Sequence, residues 1–214
     1  VNDNPQSPSY PALPFLSRFI NPGEGGSPFN VPVRWFGRPL GAQYASPLSP
    51  KDIAQTHLSY SYLTTFNDFD IDFSLTTSEH RNDHNRPDII DSRFQDALVG
   101  LGGPNGDLTW NIFDPTANSP ELTNYIRGAE ISSKVGGLTT IDVLARSSIE
   151  DFNYVLGLQL NDETLDIKYN DLARAEFDED GKITKTADLF FLGGGINVDE
   201  NLSLIHISEP TRLR

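Results

Sequence analysis

His57-Leu58-Ser59-Tyr60-Ser61-Tyr62-Leu63-Thr64-Thr65-Phe66, then Asn67-Asp68, then Phe69-Asp70-Ile71-Asp72-Phe73-Ser74-Leu75-Thr76, is the stretch that decides the fold. Before the Asn-Asp pair the apolar side chains Leu58, Tyr60, Tyr62 and Phe66 fall on even numbers, against His57, Ser59, Ser61 and Thr65; only Leu63 breaks the rule. After it, Phe69, Ile71, Phe73 and Leu75 alternate with Asp70, Asp72, Ser74 and Thr76. Strict alternation means strands with one apolar and one polar face, and Asn-Asp between them suits a tight turn.

A second pair follows the same plan. Ile141, Val143 and Ala145 stand against Asp142 and Arg146, with Leu144 as the exception. A short turn at Glu150-Asp151 leads to Phe152, Tyr154, Leu156, Leu158 and Leu160, set against Asn153, Gly157, Gln159 and Asn161, with Val155 out of phase. The expected strands lie near 54–66, 69–78, 139–149 and 152–169. Each has roughly the ~9–11 residues that a tilted strand needs to cross a bilayer.

The connections alternate in length. Two are tight turns, whereas the link from 77 to 138 and the segments before 54 and after 169 are long. Compact domains rarely use loops beyond about 12–15 residues without structure of their own. Outer-membrane barrels do, with short turns on one rim and long loops on the other. Phe66, Phe69, Phe152 and Tyr154 flank the two turns, where an aromatic girdle would meet lipid headgroups. A β-sandwich core would accept the same alternation but leaves the loop asymmetry unexplained.

Within the long link, Pro87 to Val99 is expected to form a helix stopped by Gly100. Ser119-Pro120-Glu121 reads as a cap, a first-turn proline and a first-turn acid opening a short helix through Tyr125 and Ile126.

Composition narrows the function. Among 214 residues the net charge is -14, which disfavours nucleic acid and anionic lipid as partners. No Cys is present, removing disulfides and thiolate chemistry, and no apolar run approaches the ~18 residues of a membrane helix. The lack of any Met, and of a basic head leading into an apolar run, predicts that this is an internal piece of something longer.

The chemistry-bearing motifs have plainer readings. His80 and His84 stand four apart among polar residues without the HExxH order, and a solvated loop is expected there. Glu176 to Gly181 imitates the front of a calcium loop, but the twelfth place is Ala187, so a turn at Asp180-Gly181 is the expectation. Asp70 and Asp72 share a strand face at about 7 Å, as a glycosidase pair might, yet Ser74 and Thr76 beside them favour pore lining. Gly100 to Gly106 lacks the Lys-Ser/Thr of a phosphate loop. No catalytic constellation, metal site or cofactor is expected, and the protein is read as no enzyme.

Phe94-Gln95-Asp96-Ala97-Leu98-Val99-Gly100-Leu101-Gly102-Gly103-Pro104-Asn105-Gly106, leading to Trp110-Asn111-Ile112-Phe113-Asp114-Pro115 and Ser119-Pro120-Glu121-Leu122, resembles a loop signature of TonB-dependent outer-membrane receptors. Ser27-Pro28-Phe29-Asn30-Val31 with Arg34 resembles the loop before an earlier barrel strand. Val155 to Leu160 sits where that family places a membrane strand, and Phe191 to Gly195 resembles the loop into the next. Two departures stand out: there is no Cys near Trp110, and Asn161-Asp162-Glu163 stands where a basic residue is common. The plug and the TonB-contacting box are absent from these residues, so energy coupling is implied by the resemblance alone.

The resulting expectation is an all-β partial transmembrane antiparallel barrel with helix-bearing extracellular loops, over residues 1–201. Residues 202–214 resemble a translated sequencing adapter and are expected to be non-native. The lumen face is expected to carry Asp70, Asp72, Asp142, Arg146, Asn153 and Gln159, and lipid to meet Leu58, Tyr62, Ile71, Phe73, Leu156 and Leu158. The resemblance implies a ~22-stranded, plugged barrel in the bacterial outer membrane. It implies uptake of a siderophore-iron complex, cobalamin or an oligosaccharide, with the TonB complex acting through the plug. A passive porin, or a secreted β-sandwich that binds or cleaves carbohydrate, are the alternatives.

Overall fold

A computed structural model describes residues 16–41, 44, 48–149, 152–190 and 194–208. In chain order the elements are β1 (Leu16–Ile20), β2 (Val33–Gly37), β3 (Lys51–Phe66), β4 (Phe69–Ile89), α1 (Asp91–Leu98), a 3-10 turn (Pro115–Ala117), α2 (Pro120–Ile126), β5 (Arg127–Ile149), β6 (Phe152–Tyr169), β7 (Glu176–Phe177), β8 (Ile183–Lys185) and β9 (Val198–Ser208). Among the described residues 58% lie in strands and 10% are helical, so the fold is all-β. Five strands form one sheet in the order β3-β4-β5-β6-β9; β1-β2 and β7-β8 are separate two-stranded ribbons. Each ladder with a defined register is antiparallel.

Two compact units emerge, the first from residues up to 50, 84–131 and 169–196, the second from 51–83, 132–168 and 197 onward. The first has the core. Phe94, Ala97 and Leu98 of α1, Leu122 and Ile126 of α2, Ile20, Ile89, Trp110 and Ile112 are all buried together. Backbone hydrogen bonds tie the segments that supply them: Gly25 N–H donates to the Leu98 carbonyl at 2.7 Å, and Ile112 N–H to the Gly25 carbonyl at 2.9 Å. Gly25 has φ +55, and a Cβ there would lie 3.0 Å from both Ile112 and Leu98 side chains, so the close approach requires glycine. Buried Glu130 is matched by Arg86, whose guanidinium donates to it at 3.3 Å.

The loop helices follow local rules with one correction. α1 begins at Asp91, not Pro87, because Pro87 holds Arg86 extended and the ladder runs on until Ile90 N–H bonds the Ile126 carbonyl at 2.8 Å. Its end is as expected: Gly100 takes φ +88 and donates back to the Ala97 carbonyl. At α2 the Ser119 hydroxyl accepts from Leu122 N–H at 3.1 Å, with Pro120 in the first turn. Ser119→Ala is expected to cost about 1 kcal/mol, read as a lower urea midpoint that Ser119→Asp restores.

β4 and β5 have 21 and 23 residues, against the expected 69–78 and 139–149. The expected loop from 77 to 138 therefore shrinks to the segment between Ile89 and Arg127. Residues 77–86 are polar on both faces, so alternation could not reveal the strand there. His80 and His84 lie in this extension of β4 and not in a loop; Ser49 Oγ sits 2.9 Å from His84 Nε2. The Asp180-Gly181 turn is present, closing β7 on β8, with Asp178 Oδ1 accepting from Asp180 and Lys182 N–H. β9 runs through the 201/202 boundary without a break, pairing Asp162 with Ser203 and Gly157 with Ser208. The turn expected at Glu150-Asp151, the Phe191 to Gly193 part of the loop resemblance and the last residues of the tail lie outside the described residues.

Candidate functional site

Among the described residues, the second unit is a sheet whose side chains stand almost all exposed or half-buried. Among its described residues only Ser132 is buried. The apolar face shows Leu58 64%, Tyr62 53%, Phe66 66%, Leu156 46% and Leu158 39% exposed. Burying a side chain of this size is worth roughly 1.5–3 kcal/mol, a gain this row does not realise among the described residues. On that face Phe69 and Tyr154 meet edge to face, with ring centroids 5.8 Å apart, near the hairpin turn.

The opposite face is polar and interconnected. Thr65 Oγ1 donates to Asp70 Oδ1 at 3.0 Å, and Ser59 lies 3.2 Å from Thr76, the spacing of a hairpin folded about Asn67-Asp68. Asn67 takes φ 53 in that turn, a conformation Asn tolerates. Arg146 Nη2 is 3.8 Å from Asp72 Oδ2. Asp142 accepts from Gln159 Nε2 at 2.7 Å and from Ser74 Oγ at 3.4 Å. Five of the six expected lumen residues are thus joined in pairs across β3, β4, β5 and β6. Asn153 lies exposed in β6, nearer the hairpin end than Gln159. Exposed pairs of this kind are worth only about 0–1 kcal/mol each, so the network orients polar groups more than it holds the sheet together. Asp70 accepts from Thr65, and Asp72 lies 3.8 Å from Arg146, so each of these two carboxylates has its own partner.

Further along β4, Arg81 Nε donates to Asp83 Oδ2 at 2.7 Å. The Ser133 hydroxyl and this guanidinium hold the Asp83 carboxyl below its ordinary range.

Past the network the same face opens into a hollow of about 440 Å³. Its floor is the Gly136-Gly137 step of β5; His80, Leu138, Glu163, Leu165 and Glu200 stand around it. The register set by Ser74–Asp142 and Thr77–Thr139 carries His80 across from Gly136. The two glycines differ. A Cβ on Gly137 would fall 2.5 Å from Thr164 Oγ1, whereas one on Gly136 would meet only the Thr164 carbonyl, at 4.0 Å. Periodicity had missed this site, because glycine carries no polarity; the Gly-Gly step inside a strand was the available signal.

The first unit has a second hollow, of about 400 Å³, between Leu40, Tyr44, Asn118, Thr123 and Arg127. Among the described residues no group of three His, Asp or Glu is placed to hold a metal ion.

By its fold this is an all-β protein built on antiparallel sheets. Comparison with protein-family models, curated proteins and solved structures finds no match for the chain.

Proposed function

We propose that this chain is part of the wall of a bacterial outer-membrane β-barrel of the TonB-dependent receptor kind, serving nutrient uptake and not catalysis. One observation carries the reading: the apolar stripe is a band, not the whole strand. On β3 and β4 it spans Leu58 to Phe66 and Phe69 to Leu75, adjoining the tight turn, and beyond Leu75 residues 76–83 are polar throughout. A soluble sheet would need its apolar face covered along its packed length. A barrel strand needs an apolar exterior only over an apolar belt about 25 Å tall. β4 and β5 are about twice the ~9–11 residues a crossing takes, leaving the remainder to stand clear of the bilayer and carry loops.

In this reading Asp70, Asp72, Asp142, Arg146, Asn153 and Gln159 face the lumen, and Leu58, Tyr62, Ile71, Phe73, Leu156 and Leu158 face lipid. The helix-bearing loop unit stands outside the cell. A plug supplied by the rest of the protein closes the lumen and yields when the inner-membrane TonB complex pulls it. The resemblance in the loops supports this receptor class over a passive porin.

The test is to dilute the denatured chain into short-chain phosphatidylcholine vesicles and float them. The chain is expected to rise with the vesicles, with residues 58–75 protected from protease. Recovery as a detergent-free monomer in the dense fractions would overturn the barrel. The intact gene decides between the two barrel types: a plug-encoding stretch upstream is expected, and its absence would indicate a porin.

A further inference from the structure

We infer that the Asn105-Gly106 step is a self-modifying site, where Asn105 loses its side-chain amide through a cyclic imide and becomes aspartate and isoaspartate. The inference stands apart from the barrel reading and needs no partner but water.

Three observations support it. Asn105-Gly106 is the single Asn-Gly step among 214 residues, and glycine puts no Cβ beside the nitrogen that must attack. Asn105 is exposed, and its amide has no hydrogen-bond partner among the described residues, so the side chain is free to turn onto the backbone. The loop is fastened at its stem: Gly102 and Leu108 exchange hydrogen bonds of 2.8 and 2.9 Å, while Pro104 to Asp107 stand exposed. The attacking N–H of Gly106 does donate to the Gly103 carbonyl, at 3.1 Å, but a turn bond at an exposed tip opens locally at little cost. The neighbouring asparagines lack this freedom. Asn118 Oδ1 accepts from Asn111 N–H at 2.7 Å, while its Nδ2 donates to the Asn111 and Pro115 carbonyls at 3.0 and 3.2 Å. Asn111 Oδ1 accepts from Phe113 and Asp114 N–H, and Asn124 lies in α2 with its following nitrogen in the helix.

The step balances with water alone. The Gly106 nitrogen gives its proton to base and attacks Asn105 Cγ. The new C–N bond closes a five-membered imide, the Cγ–Nδ2 bond breaks, and ammonia leaves with a proton from solvent. Water then opens the imide at one of its two carbonyls. Attack at Cγ breaks the bond just formed to Gly106 and leaves aspartate. Attack at the backbone carbonyl breaks the original peptide bond, leaving Gly106 joined through the side-chain carbon as isoaspartate. Either product adds one carboxylate beside Asp107, and Gly102 and Leu108 of the stem lie outside the altered link.

The experiment ages the full chain near neutral pH in water enriched in heavy oxygen, then digests it with trypsin in ordinary water, so that only deamidation during ageing carries the isotope. Cleavage after Arg93 and Arg127 places Asn105, Asn111, Asn118 and Asn124 in one peptide, whose fragment ions compare all four. The folded chain is expected to label Asn105 at least tenfold faster than Asn118, with isoaspartate the larger product. The labelled chain, with its added carboxylate, should elute later on anion exchange. Asn105→Gln, whose longer side chain closes the ring poorly, should abolish label at that position and leave the tryptophan-emission transition unchanged. Asn105 labelled no faster than Asn118 would overturn the proposal, as would label that appears only once guanidinium has unfolded the chain. An equal late-eluting fraction from Asn105→Gln would place the modification elsewhere and overturn it too.

Discussion

Phe73→Lys is expected to reduce the free energy of membrane insertion by about 2–4 kcal/mol, the cost of a cation near the midplane on the lipid face of a barrel strand. In the barrel reading Phe73 takes that position for two reasons. It lies in β4 midway along the apolar stripe that starts at Phe69, and its neighbours Asp72 and Ser74 both point to the polar network, to Arg146 and Asp142. The contrast within one strand is what gives the measurement its force. Ser74→Lys introduces the same charge one residue away, on the face where water and Asp142 receive it, and should change insertion by less than about 0.5 kcal/mol. Equilibrium folding into vesicles over a urea series, read by the gel mobility of the folded form, measures both. Equal effects of the two lysines would remove the assignment of faces; a large loss from Ser74→Lys alone would invert it.

Phe94→Ala is expected to cost about 3–5 kcal/mol in the loop unit, the range for emptying a buried aromatic site. Phe94 is 0% exposed and meets two rings edge to face, Phe190 with centroids 5.1 Å apart and Trp110 at 6.4 Å. Such pairs add about 0.5–1.5 kcal/mol beyond the area they bury, so the loss should fall in the upper part of the range. Both tryptophans of the chain, Trp35 and Trp110, belong to this unit's core or pack against it, so their fluorescence reports its unfolding specifically. The urea transition by tryptophan emission should move sharply lower in the variant. Phe177→Ala, at a ring 48% exposed in the β7-β8 ribbon, should leave it within about 0.5 kcal/mol. A Phe94 variant with an unshifted transition would mean that the loop segments do not share a core.

Legibility in the sequence followed periodicity. Where Leu58 to Phe66 and Phe69 to Leu75 alternate, the strands, their turn and the polarity of each face were all readable, and the contacts Thr65–Asp70, Asp72–Arg146 and Asp142–Gln159 join residues expected on one side. Where alternation lapses, in residues 77–86, nothing local distinguished strand from loop. There the ladder with β5 decides, through pairings such as Thr77–Thr139. The caps at Ser119 and Gly100 were legible because each acts within four residues of chain. The start of α1 was not, since Pro87 serves a strand as readily as a first helical turn.

The sequence by itself determined which side chains share a face and where the hairpin turns, because a strand assigns facing by counting residues and a turn by its own backbone preferences. Only the tertiary structure decided how far the strands run, that Gly25 must let Leu98 and Ile112 close on it, and that Gly136 opens a hollow while Gly137 beside it is filled. Those outcomes depend on what arrives from distant parts of the chain, and no local pattern of polarity carries that information.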